Sequence, residues 1–521
     1  MPGRDELEAE NRKLREQILI LTQQLDHLKR QLFGRRSERF DHPELFEGDM
    51  PGKPEDLQES GDEPEEDGSN GNGAAPENAN KRKRARPVRA ARLPANLPVR
   101  EEIVTPAAVL ADPEMWRRVG EDTVERLGKE PGHFYISRYI YEKYVRRDEL
   151  SLPPLAAPAP PRMIGNGFWE PDLVAEVIAN RYLYHLPYYR QQQLFAQRWG
   201  VDLPANTMSD AARHVGGQCA ILVARMRELM LASGAIQADE TTVTYLDPSA
   251  DGGSSTGYFW VYRGLTTGDV VFDWRTTREH KHLADWLGPF FRGVLQSDGY
   301  DAYRGYCAAQ TLRDIDLRRA ACLAHIRRKF ENARNQRPEV VAWILKIIAK
   351  LYLIEENLRQ AGADPPARVR ARERSAERLI RLLRRAVDHL LTRPILPKSD
   401  LGIALRYALG QLPAMETYLH DGRVEIDNNL IENAIRPSAV GKKNWLFVGG
   451  PEAGDRSAVI YSLLISARAH GVDPEAYLRD VIEKLPGRKA GDIDDLLPGV
   501  WADAHRSEHP ASEPNRPRRS A

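Results

Sequence analysis

The middle of the chain alternates short apolar stretches with helical ones, and this pattern restricts the fold more than any other feature of the sequence. "AIQADETTVTYL" (235–246), "GYFWVYRG" (257–264) and "DVVFDWRT" (269–276) are rich in β-branched and aromatic residues and lie at hairpin-like spacing, so they predict three antiparallel strands. "GVLQSDGY" (293–300) and "DLRRAACLAHI" (316–326) predict two further strands, each preceded by a helical stretch. This order is typical of an α/β layer.

A helical block interrupts this layer before it is complete. Residues 326–420 are charge-rich, have helical periodicity and contain no strand signal. We therefore predict a helical insertion at 336–422, which divides the α/β core into a first part at 234–335 and a second part at 423–470. The remaining residues, 471–521, predict a C-terminal helical region and a disordered tail.

Three acidic residues are candidates for one cluster in this core. Asp239 interrupts an apolar strand, where a carboxylate is costly unless it is paired or bound to a metal ion. Asp298 ends the fourth strand 59 residues later, and Glu432 lies 134 residues beyond Asp298 on a predicted helix. Adjacent strand residues point to opposite faces of a sheet, so only one of Asp239 and Glu240 can readily join such a cluster.

The helix that carries Glu432 also carries basic residues. We expect it to begin at about Asn428, with Asp427 as its N-cap. Arg436 lies four residues after Glu432 and shares its helix face. Two more cations, Lys442 and Lys443, follow beyond a glycine break.

Converging carboxylates require a cation, because without one they repel each other and are driven toward protonation. Mg²⁺ prefers hard oxygen ligands and is usually held by few carboxylates, water and substrate phosphate. Two such ions about 4 Å apart can bind the attacking and leaving oxygens of a phosphoryl displacement. Taken singly, each acid has a simpler interpretation: Asp239 as a strand-end turn residue, Asp298 as the start of an "SDG" turn, and Glu432 as the ion-pair partner of Arg436.

Residues 1–36 predict a leucine-zipper-like coiled coil. Leucines recur every seven residues, and a complementary core position is filled in three of four heptads (Leu7, Leu14, Leu21 and Leu28; Ile18, Leu25 and Leu32). Asn11 takes the first complementary position, where an Asn fixes register and partner number. We expect a homo-oligomer formed through this segment, and an intramolecular helical hairpin is the alternative.

Charge is segregated along the chain although it sums to zero, with 75 Lys plus Arg and 75 Asp plus Glu. Residues 37–80 predict an acidic disordered linker rich in Gly, Pro and Asn. Residues 81–100 form a basic segment that begins "KRKRARPVRAAR", with seven Lys or Arg in twelve residues. This segregation suggests a polyanionic partner, and a solubilising linker with charged ends is the alternative.

Two small regions separate the basic segment from the α/β core. Residues 101–165 predict a strand-containing region, in which "GHFYISRYIYEKYVRR" (132–147) alternates bulky and polar residues, followed by a proline-rich connector. Residues 166–233 predict a helix-turn-helix-like DNA-binding region, because two short helical stretches, 186–200 and 204–216, are joined by "VDL". A small helical packing unit is the alternative.

Cysteine usage and hydropathy exclude several classes of protein. Cys219, Cys307 and Cys322 are widely spaced, which excludes a disulfide framework and a four-ligand zinc module built on cysteine. The start "MPGRDELEAENRK" has no signal-peptide core. Lys346 and Lys350 interrupt the most apolar helical stretch, so no membrane span is expected. We expect a soluble, cytoplasmic protein.

Six motifs occur in order along the chain: "ADET", "LQSDGY", "CLAHIRRKF", "IDNNLIENAIRP", "GKKNWLFVGG" and "IYSLLISARAHGVDPEAYLRDV". With them the sequence resembles transposases of the insertion-sequence sixty-six family, from the leucine repeat and "LFGRRSERF" to "DIDDLLPGVW". The resemblance implies a DDE recombinase. Its fold is an α/β RNase H-like catalytic core interrupted by a helical insertion and preceded by an N-terminal coiled coil, a disordered linker and a helix-turn-helix.

The same resemblance implies the roles of the site residues. Asp239, Asp298 and Glu432 correspond to catalytic residues that hold two Mg²⁺ or Mn²⁺ ions, and the family pattern selects Asp239 over Glu240. By the same resemblance, the site would activate water, and then a DNA 3′-hydroxyl, for attack on phosphodiesters.

Five residues are expected to contact DNA. His325 and Arg328 lie in "CLAHIRRKF" and are expected near the scissile phosphate, with a structural role for the histidine as the alternative. Arg436, Lys442 and Lys443 suit contacts to backbone phosphates, which position DNA without reading its sequence. For the neighbouring tryptophan of "GKKNWLF", core packing is expected rather than base stacking.

The chain departs from the family pattern at two places. Many members carry a cysteine zinc finger where this chain has "DPEMWRRVGEDTVERLGKEPGHF", which contains no cysteine, so no zinc is expected. Asn433 stands where the family more often has Arg, and we expect little effect from this difference.

We therefore expect a DNA transposase that cleaves and transfers strands at the terminal inverted repeats of a bacterial insertion sequence and is nucleoid-associated when DNA-bound. The implied partners are double-stranded DNA of the element ends and target, further copies of the chain, and accessory proteins of the same element. One alternative is a catalytically inactive or domesticated relative that only binds DNA. Another is a stand-alone nuclease or junction resolvase, which has no evident use for the coiled coil and helix-turn-helix.

Overall fold

The computed structural model describes residues 98–506, except residue 131, residues 148–152 and residue 166. The expected coiled coil, the acidic linker, nearly all of the basic segment and the end of the C-terminal tail lie outside the described residues. Within the described part of the chain, no helix is both long enough and apolar enough to cross a membrane.

The first sheet is built on a long hairpin. Strand β2 (Trp116–Glu130) pairs antiparallel with β3 (His133–Arg146), and β1 (Val99–Val104) pairs parallel with β3 on its other side. A two-residue strand, β4 (Leu155–Ala156), also pairs with β3. Helix α1 (Ala107–Ala111) and a 3₁₀ turn connect β1 to β2. The alternating stretch at 132–147 is therefore the second strand of a hairpin.

Three helices follow: α2 (Pro171–Tyr182), α3 (Tyr188–Trp199) and α4 (Ala205–Ser233). The expectation that the second helical stretch is short, ending near residue 216, is wrong, because α4 runs for 29 residues. Its apolar face continues past that point, with buried side chains at helical spacing (Cys219, Leu222, Val223, Met226 and Met230). The helix ends only at Gly234, whose φ of 65° suits a left-handed cap.

A five-stranded sheet forms the centre of the described chain. Its strands are β5 (Ala235–Leu246), β6 (Ser254–Gly264), β7 (Val270–Arg275), β8 (Gly293–Ser297) and β9 (Leu317–Ala321). Their spatial order is β7-β6-β5-β8-β9, with antiparallel pairing from β7 to β5 and parallel pairing from β5 to β9. Helices α5 (Lys281–Leu287) and α6 (Asp301–Thr311) precede the two parallel strands. All five predicted strands are confirmed.

A helix covers the edge of the sheet at β7. After α11 (Asn429–Trp445), helix α12 (Pro451–Ala469) packs along this strand. Ser466 Oγ accepts a hydrogen bond from Val270 N at 2.8 Å, and Ser462 Oγ accepts one from Phe272 N at 2.8 Å. The outward-facing backbone donors of the edge strand are thus satisfied by serine hydroxyls rather than by another strand. The described chain then ends in α13 (Pro474–Lys484), a 3₁₀ turn and α14 (Pro498–His505).

The block between β9 and α11 is helical, as expected. It consists of α7 (Leu323–Asn332), α8 (Pro338–Gln360), α9 (Pro365–Leu391) and α10 (Asp400–His420). These helices share a second hydrophobic core, which includes Val294 of β8 and Ala320 and Ala321 of β9. The insertion therefore packs directly against the parallel half of the sheet.

A buried ion pair joins the insertion helices. Arg372 and Glu355 have no exposed surface, and they form a bidentate contact with N–O distances of 2.8 and 2.9 Å. The same guanidinium donates to the carbonyl oxygens of Tyr418, Asp421 and Val424 at 2.8 to 3.1 Å. Every hydrogen-bonding direction of the arginine is therefore used, and the chain leaving α10 is fixed to α8 and α9.

Replacing Arg372 with Met should destabilise the protein by about 3–5 kcal/mol, because a buried carboxylate loses its main partner and three carbonyl groups lose their donor. The matched control is Arg381→Met, which removes an exposed ion pair of 3.6 Å with Glu377 and should change stability by less than about 0.5 kcal/mol. Urea denaturation followed by circular dichroism measures both. Equal midpoints for the two variants would contradict this role of Arg372.

The same pair predicts a pH dependence. Despite the opposing effect of burial, hydrogen bonds and charge from Arg372, with help from Tyr418 and Arg368, lower the pKa of Glu355 from 4.5 to about 2. A carboxyl with a lowered folded-state pKa stabilises the fold above its unfolded-state pKa and loses that contribution as the pH falls. The difference in melting temperature between the natural protein and Glu355→Gln should be full above about pH 4.5 and shrink between pH 4.5 and 2. A difference that stays constant over this range would exclude the ionised pair as its source.

Candidate active site at the ends of two parallel strands

Strand register places Asp239 and Asp298 next to each other on two neighbouring strands in the middle of the sheet. The parallel pairs between β5 and β8 join residues that differ by 59 positions, as in Ala235 with Val294 (294 − 235) and Gln237 with Gln296. Asp239 and Asp298 also differ by 59 positions, so they continue this register two residues past the last pair. Neighbouring strands lie about 4.8 Å apart, which places the two residues side by side.

A pair of buried glutamines fixes which face of the sheet receives Asp239. Gln237 Nε2 donates to Gln296 Oε1 at 3.0 Å across the two strands and to the Asp427 carbonyl oxygen at 3.0 Å. Gln296 Nε2 donates to the Glu425 carbonyl oxygen at 2.6 Å. Asp239 lies two residues beyond Gln237 and therefore on the same face. That face is the one covered by the chain segment that leads into α11.

This segment delivers Glu432 to the cluster. The N-cap of α11 is Asn428, not Asp427 as expected, and Glu432 lies in the first turn, with its N–H bonded to the Asn428 carbonyl oxygen at 3.0 Å. Asp427 precedes the cap, and its carboxylate accepts hydrogen bonds from the backbone and side chain of Asn429 at 3.0 and 2.8 Å. The aspartate therefore fixes the start of the helix from one residue further out.

The electrostatics are those of crowded carboxylates. Burial raises the pKa of Asp239 well above its ordinary value, and the negative charges of Glu240, Asp298 and Glu432 raise it further. Asp298 and Glu432 thus both lie within electrostatic range of Asp239. Asp298 is also a turn residue, because its Oδ1 accepts from Tyr300 N at 2.9 Å.

Glu240 has partners on helix α6 and in the loop that follows β7. Its carboxylate accepts hydrogen bonds from Tyr303 on α6 at 2.6 Å and from Arg278 Nε at 3.0 Å. The alternation of a strand places it opposite Asp239. This residue already has a complete set of protein partners, whereas Asp239 faces the other acids.

Two basic residues of α7 approach Glu432. His325 Nδ1 lies 3.8 Å from Glu432 Oε1, and Arg328 Nη2 lies 3.8 Å from Glu432 Oε2. Burial lowers the pKa of His325 although the Glu432 charge opposes this, so the neutral imidazole is favoured at neutral pH. Glu432 makes these contacts and no ion pair within 4 Å with Arg436, so the simpler i,i+4 interpretation is wrong for the described chain.

The donor set fits a divalent cation. Glu432 Oε1 and His325 Nδ1 are both buried and lack a hydrogen-bond partner among the described residues. Carboxylate oxygens from Asp239, Asp298 and Glu432 are the hard ligands that Mg²⁺ and Mn²⁺ prefer. The sequence did not indicate that Cys322 lies here, with donor atoms of Cys322, His325 and Glu432 within 4.8 Å of one another.

The insertion supports Asp298, which the sequence also did not indicate. Arg319 on β9 donates from Nη1 to the Asp298 carbonyl oxygen at 3.3 Å and to Gln411 Oε1 on α10 at 2.9 Å. A Cβ on Gly299 would lie 2.7 Å from the Tyr407 ring and 2.8 Å from Gln411 Nε2, so α10 leaves room only for glycine after Asp298. The chain contains many arginines, so nothing in the sequence distinguishes Arg319 as the one that supports the Asp298 turn.

The basic residues of α11 lie on one continuous helix. The expected glycine break is wrong, because Gly441 is inside α11, where its missing side chain leaves room for Trp445 and His185. Lys442 Nζ donates to the Thr242 carbonyl oxygen at 2.9 Å, while Arg436 and Lys443 are exposed. Trp445 is only 8% exposed and belongs to the core, as expected.

The sequence of this region matches known families. The model described as Transposase IS66 family matches residues 166–456, more than half of the chain. The chain belongs to the IS66 transposase family. The models described as IS66 C-terminal element and as Transposase C of IS166 homeodomain match residues 462–498 and 20–103.

Two curated relatives come from Sinorhizobium fredii (strain NBRC 101917 / NGR234). The uncharacterized protein y4jD is 31% identical over 425 residues, which are 78% of this chain and 81% of that protein. The uncharacterized protein y4qI is 30% identical over 391 residues, or 73% and 71% of the two chains. Membership of the IS66 family supports a transposase role and implies DNA binding, and DDE transposases generally use divalent metal ions.

Replacing Asp239 with Asn should raise the melting temperature in the absence of divalent ions by about 2–4 °C, because it removes a buried charge that its neighbours repel. The same change should abolish the stabilisation that Mg²⁺ or Mn²⁺ gives the natural protein. The matched control is Asp301→Asn, since Asp301 is exposed and paired with Arg304. Differential scanning fluorimetry with and without the ions measures both effects. If the ions raise the melting temperature of the natural protein and of Asp239→Asn equally, Asp239 is not a ligand of the ions.

Proposed function

We propose that the protein is a DDE-type transposase that cleaves and transfers DNA strands at the terminal inverted repeats of a bacterial insertion sequence. Its five-stranded sheet is proposed to be an RNase H-like catalytic core. The strand order β7-β6-β5-β8-β9, antiparallel in its first half and parallel in its second, supports this assignment. The observation that carries the proposal is the shared register of Asp239 and Asp298 on β5 and at the end of β8, with Glu432 close enough for its charge to act on Asp239.

The acids are proposed to hold two divalent ions, Mg²⁺ or Mn²⁺. When bound, such ions supply charge stabilisation to an in-line phosphoryl displacement. Asp239, Asp298 and Glu432 would provide the oxygen ligands, and a bound cation would offset the burial and the neighbouring negative charges that raise the pKa of Asp239. Arg319 and Gly299 hold the Asp298 turn rigid, which keeps the ligands in place as the substrate enters.

The surrounding cations are proposed to bind DNA. Arg328 lies beside Glu432, near enough to contact the phosphate that is cut, and His325 offers a neutral imidazole there. Arg436, Lys442 and Lys443 continue along α11 and would contact backbone phosphates, which position the duplex. Charge-assisted contacts of this kind weaken as salt is added.

Assembly is proposed to bring two element ends together in a homo-oligomer. The leucine repeat at 1–36 would supply self-association, and the helix-turn-helix-like region at 166–233 would bind the ends. Accessory proteins of the same element are proposed as further partners. A catalytically inactive DNA-binding relative is the second candidate function, and the intact trio of converging acids favours the catalytic one.

The decisive experiment compares Asp298→Asn with Asp301→Asn on labelled DNA from the ends of the element that carries this gene. Asp298→Asn should reduce Mg²⁺-dependent cleavage at least about a thousandfold, because it removes a charged ligand from the site, while binding in a gel-shift assay stays within about twofold. Asp301→Asn should retain both.

Cleavage that survives in Asp298→Asn would overturn the assignment of the site. Natural protein that binds the ends but fails to cut them with either Mg²⁺ or Mn²⁺ would favour the inactive DNA-binding function.

A further inference from the structure

The end of α11 is a strained turn with a bulky residue at its centre. Leu446 has φ 61° and ψ −48°, and Phe447 N donates to the Trp445 carbonyl oxygen at 2.7 Å. A hydrogen bond between residues two apart around a positive φ defines a γ-turn of the strained kind. Such a conformation is unfavourable for a residue as large as leucine and persists only where the surroundings impose it.

Hydrogen bonds on both sides impose this turn. Leu446 N is bonded to the Lys442 carbonyl oxygen at 2.9 Å as the last turn of α11. Immediately beyond, Val448 N is bonded to the Thr244 carbonyl oxygen at 2.9 Å, and Leu246 N to the Gly449 carbonyl oxygen at 2.7 Å. The turn is therefore held between a helix end and the end of β5, the strand that carries Asp239.

Burial does not offset the strain. The side chain of Leu446 is 66% exposed and that of Phe447 is 40% exposed. A strained backbone that holds large apolar side chains out into solvent stabilises nothing in the free protein, and such outliers cluster at functional sites. We call these two residues the apolar tip.

The approach to the tip is positively charged. Arg436, Lys442 and Lys443 lie on α11 between Glu432 and Leu446, and none of them has a carboxylate within 4 Å among the described residues. Lys442 donates only to neutral oxygens of Thr242. These cations can bind phosphates, and the exposed apolar side chains beyond them can contact stacked bases. Duplex DNA offers both, because it has an anionic backbone and an apolar base stack.

We propose that Leu446 and Phe447 form an apolar wedge that enters the base stack of bound DNA and unstacks one step of the duplex. Apolar side chains that enter between base pairs unstack and kink the duplex. The wedge rests on the proposed function, because it acts on the same DNA that the carboxylate cluster is proposed to cut. It adds a site at which the chain distorts its substrate.

Helix geometry sets where the wedge acts. Leu446 lies 14 residues after Glu432, so the tip is about 21 Å along the helix from the acid cluster at ~1.5 Å per residue. Successive base pairs are ~3.4 Å apart along a duplex. For a duplex that lies along α11, the unstacked step is therefore about six base pairs from the phosphate that is cut.

The test uses a set of duplexes from the element end, each with 2-aminopurine at one position. The fluorescence of this base increases when it is unstacked. The protein carries Asp298→Asn to prevent cleavage, with Mg²⁺ present. Fluorescence should rise several-fold over free duplex at one or two adjacent positions about six base pairs from the cut. Adding Leu446→Gly or Phe447→Ser should return the signal to within about twofold of free duplex.

The variants separate the wedge from folding. Glycine adopts positive φ without strain, so Leu446→Gly should melt no lower than the parent protein. The control is Leu312→Ser, because Leu312 is 89% exposed at the end of α6 and has an ordinary φ of −64°. It should leave the fluorescence profile unchanged.

Two outcomes would overturn the wedge: no bright position, or a profile that Leu446→Gly leaves intact. If the profile stays intact while the oligomer mass of Leu446→Gly changes, the tip is assigned to contact between copies. Cleavage of the same duplex by the natural protein is measured in parallel. Cleavage without a bright position refutes the wedge alone, whereas absence of both binding and cleavage refutes the proposed function.

Discussion

The arrangement of the site depends on the hydrogen bonds that Gln237 and Gln296 make to each other and to the carbonyl oxygens of Asp427 and Glu425. Both side chains are fully buried, so these amides have no water to replace a lost partner. They join two neighbouring strands to a segment that follows some 130 to 190 residues later in the chain. Glu432 comes close to Asp239 because this segment is held against the two strands.

The helical insertion then supports the site at two places. Where the chain leaves α10, Arg372 binds three carbonyl oxygens and so directs it toward the glutamines. At the middle of α10, Gln411 and Tyr407 restrict the turn after Asp298, partly through Arg319. The insertion interrupts the α/β pattern in the sequence, yet in the structure it supports two of the three acids. The long sequence separation between Asp298 and Glu432 is compatible with a rigid site for this reason.

Much of the core could be predicted from sequence, and the failures have physical causes. The strands were predictable because β-branched and aromatic residues alternate there, and the pairing of Asp239 with Asp298 follows once β5 and β8 are parallel. The partners of Gln237, Arg319 and Cys322 could not be predicted, since each depends on residues far along the chain. The length of α4 is not evident from the sequence because Gly216 and Gly217 interrupt its pattern. Gly441 resembles a helix break, although its packing against Trp445 and His185 requires a residue without a side chain.

The serine caps on β7 have a consequence for how larger assemblies form. Ser462 and Ser466 occupy the backbone donors at one border of the sheet, and Thr417 of α10 donates to the Arg319 carbonyl oxygen at the other, at 2.9 Å. A helix packs against each border strand and hinders strand addition, the route by which exposed sheets aggregate or exchange segments. Copies of this sheet that come close together are therefore hindered from joining edge to edge.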